Sequence, residues 1–321
     1  MQPVLAATSA NTLPYLMLAI QLAVVAAAAY AGGSSLSFLS MGHRRMQVLL
    51  SLTGGVLLGV GLLHLLPHAF LQLGRQIDTT MIWVLVGFFL MFLLERAFHG
   101  HSHHTADGAK DGHGCGHDHS HSHSHSHDQD RSRVDLHAAP GSGRLAWCGA
   151  FAGLALHSLA DGAALAASVR TDSDHGEGLL AGFATFLAVL LHKPFDSAII
   201  GTLMLNAGVS GRGRRIANGL YALVVPVGAI AFLASLSLFG GQQATILGVA
   251  MALAAGAFLC IAAADLLPEV QFHSHDRVLL TASLALGLTI AWGITVMERS
   301  SHAHTHAHAQ PTESHGGHGG H

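Results

Sequence analysis

The chain has 321 residues, of which 50% are apolar and only 10% charged, with a mean hydropathy of +0.46. A soluble domain carries about 25% charged residues, so the composition excludes a water-soluble globular protein and points to a bilayer as the solvent. The formal charge of −3, with no basic face or recognition motif, also excludes a nucleic-acid binder.

A membrane-spanning helix needs about 20 apolar residues. Eight such stretches follow one another at 13–38, 47–70, 81–98, 146–169, 178–204, 216–239, 244–267 and 278–297. The first is preceded by no basic n-region, so it is expected to be retained and not cleaved as a signal peptide. Turn-forming residues separate the spans: Gly42–Arg45, Gly74-Arg75, the long segment after Phe98, Thr171–Asp174, Gly211–Gly213, Gly240-Gly241 and His273–Asp276. The expected fold is an all-α membrane protein of eight spans. Its parts are 1–98 with spans 1–3, a loop over 99–145, 146–298 with spans 4–8, and a tail over 299–321.

Arginine and lysine fix the orientation. The connections after spans 1, 3, 5 and 7 hold Arg44, Arg45, Arg96, Lys110, Arg131, Arg133, Arg144, Arg212, Arg214, Arg215 and Arg277, against Arg75, Arg170 and Arg299 on the other side. Both termini are therefore expected outside and the long loop in the cytoplasm. The alanine- and glycine-rich spans suggest a bacterial inner membrane.

Histidine is the outstanding residue type, at 27 positions. Twelve lie in the loop between His99 and His137, where His117, His119, His121, His123, His125 and His127 alternate with small polar residues, and seven lie in the tail. Such tracts cannot build a core and are expected to be disordered, gathering transition metals through neutral imidazoles. Cys115, Cys148 and Cys260 form no CxxC and imply neither a disulfide framework nor a thiolate metal site.

Ionisable residues within spans are functional candidates by default. Four pairs share the i, i+4 spacing that puts both side chains on one helix face: His64/His68, His157/Asp161, His192/Asp196 and Asp265/Glu269. His157/Asp161 and His192/Asp196 fall near the centres of spans 4 and 5. Facing each other, they supply two imidazoles and two carboxylates, a set suited to Zn²⁺ and similar borderline divalent ions. His64-Leu65-Leu66-Pro67-His68 ends span 2 on the outside and Asp265-Leu266-Leu267-Pro268-Glu269 ends span 7 on the inside, as mouths of a pathway. Their common Leu-Leu-Pro suggests an inverted repeat, spans 1–3 against 6–8 around 4 and 5, giving a 3+2+3 bundle. Lys193 is the remaining charge at mid-span, and it needs a carboxylate partner there.

These residues resemble the ZIP family of metal transporters. His157-Ser158-Leu159-Ala160-Asp161-Gly162 is similar to that family's His-Asn-x-x-Asp/Glu-Gly, and His192-x-x-x-Asp196 to its fifth-span motif. The resemblance implies His157, Asp161, His192 and Asp196 as metal ligands, with Ser158 as an additional position. It implies passage of Zn²⁺, or of Fe²⁺, Mn²⁺, Cd²⁺ or Ni²⁺, into the cytoplasm. Three departures, Lys193 in place of an acidic ligand, Val225-Pro226 in place of Glu-Pro and Ser158 in place of Asn, imply that the family's second metal of the binuclear site is absent. The expected partners are divalent ions and lipid; a homodimer is one assembly the sequence allows. No enzymatic activity and no cofactor are expected.

Two other readings predict different features. A cation diffusion facilitator-type exporter would have six spans and a folded cytoplasmic domain. An intramembrane metal-dependent hydrolase would need an open coordination position and a general base.

Overall fold

The computed structural model describes residues 2–34, 42–99, 142–174, 180–272 and 277–307, with side chains over 12–34, 42, 44–96, 147–174, 180–264 and 277–298. The histidine-rich loop from 100 to 141, the tail beyond Ala307, and the side chains of Asp265 and Glu269 lie outside the described residues; 299–307, expected as disordered tail, instead continue the helix of span 8.

The described residues are helices joined by short turns. Eight helices are long and apolar enough to cross a membrane: Thr12–Ser34, Arg44–Gln72, Ile77–Arg96, Trp147–Asp174, Phe183–Asn206, Gly211–Leu238, Gly240–Ala264 and Arg277–Glu298. They correspond one to one with the eight expected spans. The outer faces are apolar, as lipid requires: Ile82, Leu85 and Phe89 on span 3 and Trp292 on span 8 are exposed.

Several expected breaks are instead helical: His43–Arg45 open the helix of span 2, and Gly240–Gln242 form a single 3-10 turn. Thr171–Asp174 reads as a turn because it is short and polar, but span 4 runs through it to Asp174, with Thr171 and Asp172 fully buried. Asp172 accepts a hydrogen bond from the backbone N–H of Gly182 at 2.7 Å, so burial leaves its carboxylate satisfied. Gly211–Gly213 opens span 6, capped by Ser210, whose Oγ accepts from Gly213 N–H at 3.2 Å.

Proline shapes three spans. In span 2 the α-helix His43–Val60 passes into a π-turn, Gly61–Leu65, one residue before the helix that contains Pro67. Proline has no N–H to give and crowds the carbonyl four residues back. The wider π-turn accommodates both constraints and carries His64. Span 5 contains Pro194 directly after His192 and Lys193, and span 6 breaks at Leu223, three residues before Pro226.

Glycine sets the closest approaches between spans. A Cβ on Gly55 would fall on the Leu284 carbonyl, on Gly287 on the Leu52 carbonyl, on Gly87 on the Leu253 carbonyl and on Gly256 on the Val84 carbonyl. Gly32 meets Pro194, and Gly228 meets Leu159, in the same way. Spans 2 and 8, 3 and 7, 1 and 5, and 4 and 6 therefore pack backbone to backbone, the mode small residues permit in lipid. Side-chain hydrogen bonds reinforce spans 2 and 8, where Ser51 donates to Leu280 O at 2.8 Å and Ser283 to Val48 O at 2.8 Å, and tie span 6 to span 1, where Asn218 donates to Tyr30 O at 2.7 Å. Spans 2, 4, 5 and 7 are the most buried of the eight and form the interior.

Candidate metal centre

His157 and Asp161 stand one helical turn apart at the middle of span 4, as do His192 and Asp196 on span 5. All four point into the contact between the two spans. The imidazole centroids are 5.5 Å apart. His157, Asp161 and His192 are at most 3% exposed, and the Asp196 side chain 15%.

The four ligand atoms lie within 4.8 Å of one another. Asp161 Oδ2 is 3.3 Å from His157 Nε2 and 3.3 Å from His192 Nε2; Asp196 Oδ2 is 3.9 Å and 4.0 Å from the same two nitrogens. A tetrahedral Zn²⁺ with bonds of about 2.0–2.2 Å holds its ligand atoms about 3.3–3.5 Å apart. Two of these separations already match, and the other two need about half an ångström of adjustment.

The hydrogen-bond pattern fits a cation. His192 Nδ1 is 2.8 Å from the carbonyl oxygen of Ala188, which can only accept, so Nδ1 carries the hydrogen and Nε2 of the neutral ring turns a lone pair toward the centre. Such an outer partner fixes the tautomer of metal-binding histidines. His157 Nε2 is buried and makes no hydrogen bond among the described residues. With two carboxylates alongside, the donor set suits a borderline divalent ion and, lacking sulfur, disfavours Cu(I).

Lys193 completes the electrostatics. Its fully buried ammonium contacts Asp161 Oδ2 and lies 2.9 Å from Asp196 Oδ2. The carboxylate partner that its depth demands is therefore a pair of carboxylates. Ser158 faces the same region but does not touch the four ligands directly: its Oγ is 2.9 Å from the Tyr221 hydroxyl, which reaches Asp196 Oδ2 at 3.4 Å. Tyr221, fully buried on span 6, was not identified by sequence reasoning. A single tyrosine in an apolar run has no spacing partner to mark it. Val225, four residues on, is also buried.

His64 and His68 lie well away from this centre, with Asp172 of span 4 as a neighbour: His68 Nδ1 is 3.3 Å from Asp172 Oδ1. Asp172 has no ionisable residue four positions away, and Glu298, which joins His64, has its i, i+4 partner His302 beyond the expected end of span 8.

Comparison with known proteins gives a family match over most of the chain. The family described as ZIP Zinc transporter matches residues 15–301. Zinc transporter ZIP9 of Micropogonias undulatus is 31% identical over 133 residues, covering 39% of this chain and 40% of that protein. Zinc transporter ZIP9 of Xenopus tropicalis is 32% identical over 130 residues, covering 38% and 41%, and that of Macaca fascicularis 30% identical over 128 residues, covering 39% and 52%. The aligned part thus spans about half or less of each of these relatives.

Proposed function

The chain belongs to the ZIP zinc transporter family, and from that premise we propose that it carries Zn²⁺ across a membrane into the cytoplasm through a site formed by His157, Asp161, His192 and Asp196. One observation carries the reading: four N and O ligand atoms from two adjacent spans converge at mid-span within 4.8 Å of one another. Burying two carboxylates and two imidazoles at that depth is expensive, and such groups mark ion pathways. Zinc is favoured over the other candidate ions because the matching relatives are zinc transporters, and by the tetrahedral spacing.

The proposed orientation puts the ends bearing Arg44, Arg45, Arg212, Arg214, Arg215 and Arg277 in the cytoplasm, with both termini outside. The bacterial inner membrane is the bilayer we propose, on the alanine- and glycine-rich spans alone.

The inverted repeat is supported by a constant register. Leu52, Gly55 and Leu65-Leu66-Pro67 of span 2 recur as Leu253, Gly256 and Leu266-Leu267-Pro268 of span 7, each 201 positions on. Val84 and Gly87 of span 3 recur as Leu284 and Gly287 of span 8, each 200 on. The same shifts turn the Gly55–Leu284 approach into Gly256–Val84, and Gly287–Leu52 into Gly87–Leu253. Between the repeats, His157 and Asp161 match His192 and Asp196 at 35 positions. The metal centre therefore sits where spans 4 and 5 exchange, at the midplane position common in repeat-built transporters.

The eight spans oppose the six-span exporter alternative. The test is uptake of a metal panel into proteoliposomes of defined orientation. Asp161→Asn keeps the side-chain volume but removes the anion shared by both histidines, and should reduce Zn²⁺ uptake to background. Normal flux with the protein correctly inserted would refute the site.

A further inference from the structure

At the end of the bundle away from the arginine-rich termini of the spans, a second group of metal-ligating side chains converges from spans 2 and 4. His64 of the π-turn is 1% exposed and Asp172 is fully buried, whereas the His68 side chain keeps 20% exposure and gives access. His64 Nε2 lies 3.7 Å from Asp172 Oδ2, and His68 Nδ1 lies 3.3 Å from Asp172 Oδ1. The three ligand atoms lie within 4.8 Å of one another. The two imidazoles meet edge-on, with centroids 4.5 Å apart.

A fourth residue holds this arrangement. Glu298 of span 8, 3% exposed, places Oε2 2.9 Å from His64 Nδ1. An ionised carboxylate only accepts, so Nδ1 carries the hydrogen and Nε2 turns its lone pair toward Asp172. A carboxylate behind an imidazole, with the far nitrogen facing a third ligand, is how metal-binding histidines are oriented in proteins. Capping the entry to span 5 explains the Asp172–Gly182 hydrogen bond. It does not explain two histidines and a second buried carboxylate gathered at the same point.

We infer that His64, His68 and Asp172 form a second, three-ligand site for a divalent transition-metal cation, with Glu298 as its positioning residue. The inference rests on the proposed transport reading only in taking that cation to be the cargo. Two imidazoles and one carboxylate are a zinc ligand set that leaves the fourth position to water. Such a site exchanges its ion more readily than the four-ligand centre, which suits a loading station.

Its placement on span 4 supports that role. Asp161, Ser168 and Asp172 are 7 and 11 residues apart, close to two and three helical turns, so they share one face, and Asp172 stands about 16 Å along the axis from Asp161. Between the two sites Ser168 Oγ lies 2.6 Å from Thr185 Oγ1, and Thr185 precedes His192 on span 5 by the same two turns. Hydroxyl oxygens therefore stand between the two ligand sets on both helices.

Crystals of the full chain grown with Zn²⁺, measured at the zinc absorption edge, test the proposal without interference from the histidine tracts because peaks are located in space. Anomalous peaks are expected both at the central ligands and at His64/His68/Asp172. A central peak with none at His64/His68/Asp172 at saturating Zn²⁺ overturns the inference. The reverse pattern supports it and refutes the central site instead. In proteoliposomes, His68→Ala should raise the apparent KM for Zn²⁺ about tenfold, with a much smaller change in maximal rate; an unchanged KM in folded protein also overturns it. Glu298→Ala should raise KM likewise, and Glu298→Gln, which still offers an oxygen to His64 Nδ1, should recover most of the affinity. A purely structural role for Glu298 would lower both variants' maximal rate and leave KM in place.

Discussion

The Lys193 ammonium is bonded to Asp161 Oδ2, the same oxygen that lies 3.3 Å from both His157 Nε2 and His192 Nε2. At the proposed site a metal would therefore compete with lysine for one atom. A divalent ion held by Asp161 and Asp196 would face the ammonium across them and bind only as Lys193 gives up part of its contact. The internal cation offsets one of the two carboxylate charges before an ion arrives, and it would weaken the ion's hold afterwards.

Lys193→Met should expose this exchange. Removing one partner of a buried ion pair costs about 3–5 kcal/mol because the other charge is left uncompensated. The variant should unfold at lower temperature than the parent in chelator. It should also gain more from added Zn²⁺, since the metal then becomes the sole local counter-charge. Thermal unfolding in detergent, with and without Zn²⁺, reads both effects. An unchanged midpoint in chelator would show that the ammonium contributes nothing to the resting centre.

The backbone-to-backbone contacts make a second, purely structural prediction. Gly256→Ala would drive a methyl group onto the Val84 carbonyl, and Gly55→Ala onto that of Leu284. Overpacking of this kind costs about 1–3 kcal/mol. Because the two glycines correspond in the proposed repeat, their losses should be similar. Gly293, with open space where a Cβ would stand, is the control, and Gly293→Ala should stay near the parent. Thermal midpoints of the three variants decide it; equal effects at Gly293 and Gly256 would contradict the close packing of spans 3 and 7.

Most of the central site was legible because helical periodicity writes one face of a span into the sequence: His157/Asp161 and His192/Asp196 are each one turn apart in apolar surroundings that give a charge no other reason to be there. The second cluster was half legible. His64 and His68 carry the same spacing, but Thr171-Asp172-Ser173-Asp174 looks like a polar turn, and only the fold shows the helix running through it under cover of span 2. Glu298 lies one residue past the expected end of span 8, where a carboxylate reads as an interfacial anchor. Tyr221 has no partner in sequence at all; its contact with Asp196 exists only where spans 5 and 6 meet in the fold.

The proposed sites assign ion passage to the spans and leave ion collection to the histidine tracts. Each of the central ligands comes from spans 4 and 5, and those of the second cluster from spans 2 and 4, so no tract residue is needed to complete either set. Deleting 101–127 should leave Zn²⁺ uptake competent while lowering the number of ions bound per chain at equilibrium. Elemental analysis of purified protein beside an uptake assay distinguishes the two. Loss of flux in a correctly inserted deletion variant would make the loop part of the gate.

The last prediction concerns the number of ions at the central site. Two unit charges about 4 Å apart interact by about 4 kcal/mol at an effective dielectric of 20, and a divalent ion facing an ammonium meets about twice that repulsion. Lys193, bonded to Asp161 and 2.9 Å from Asp196 Oδ2, occupies the region where a second ion would sit. Val225 offers no ligand on the adjoining face of span 6, four residues beyond Tyr221, whose hydroxyl reaches that same carboxylate. The parent protein should therefore hold one Zn²⁺ among His157, Asp161, His192 and Asp196. Replacing Lys193→Asp together with Val225→Glu removes the repelling charge and adds two carboxylates, and a second ion should then bind beside the first. Zinc-edge anomalous maps of parent and double variant count the peaks at this centre separately from any at His64, His68 and Asp172. Two central ions in the parent would show that the ammonium moves aside. One ion in a well-folded double variant would show that a missing ligand geometry, and not the charge of Lys193, limits the site to a single metal.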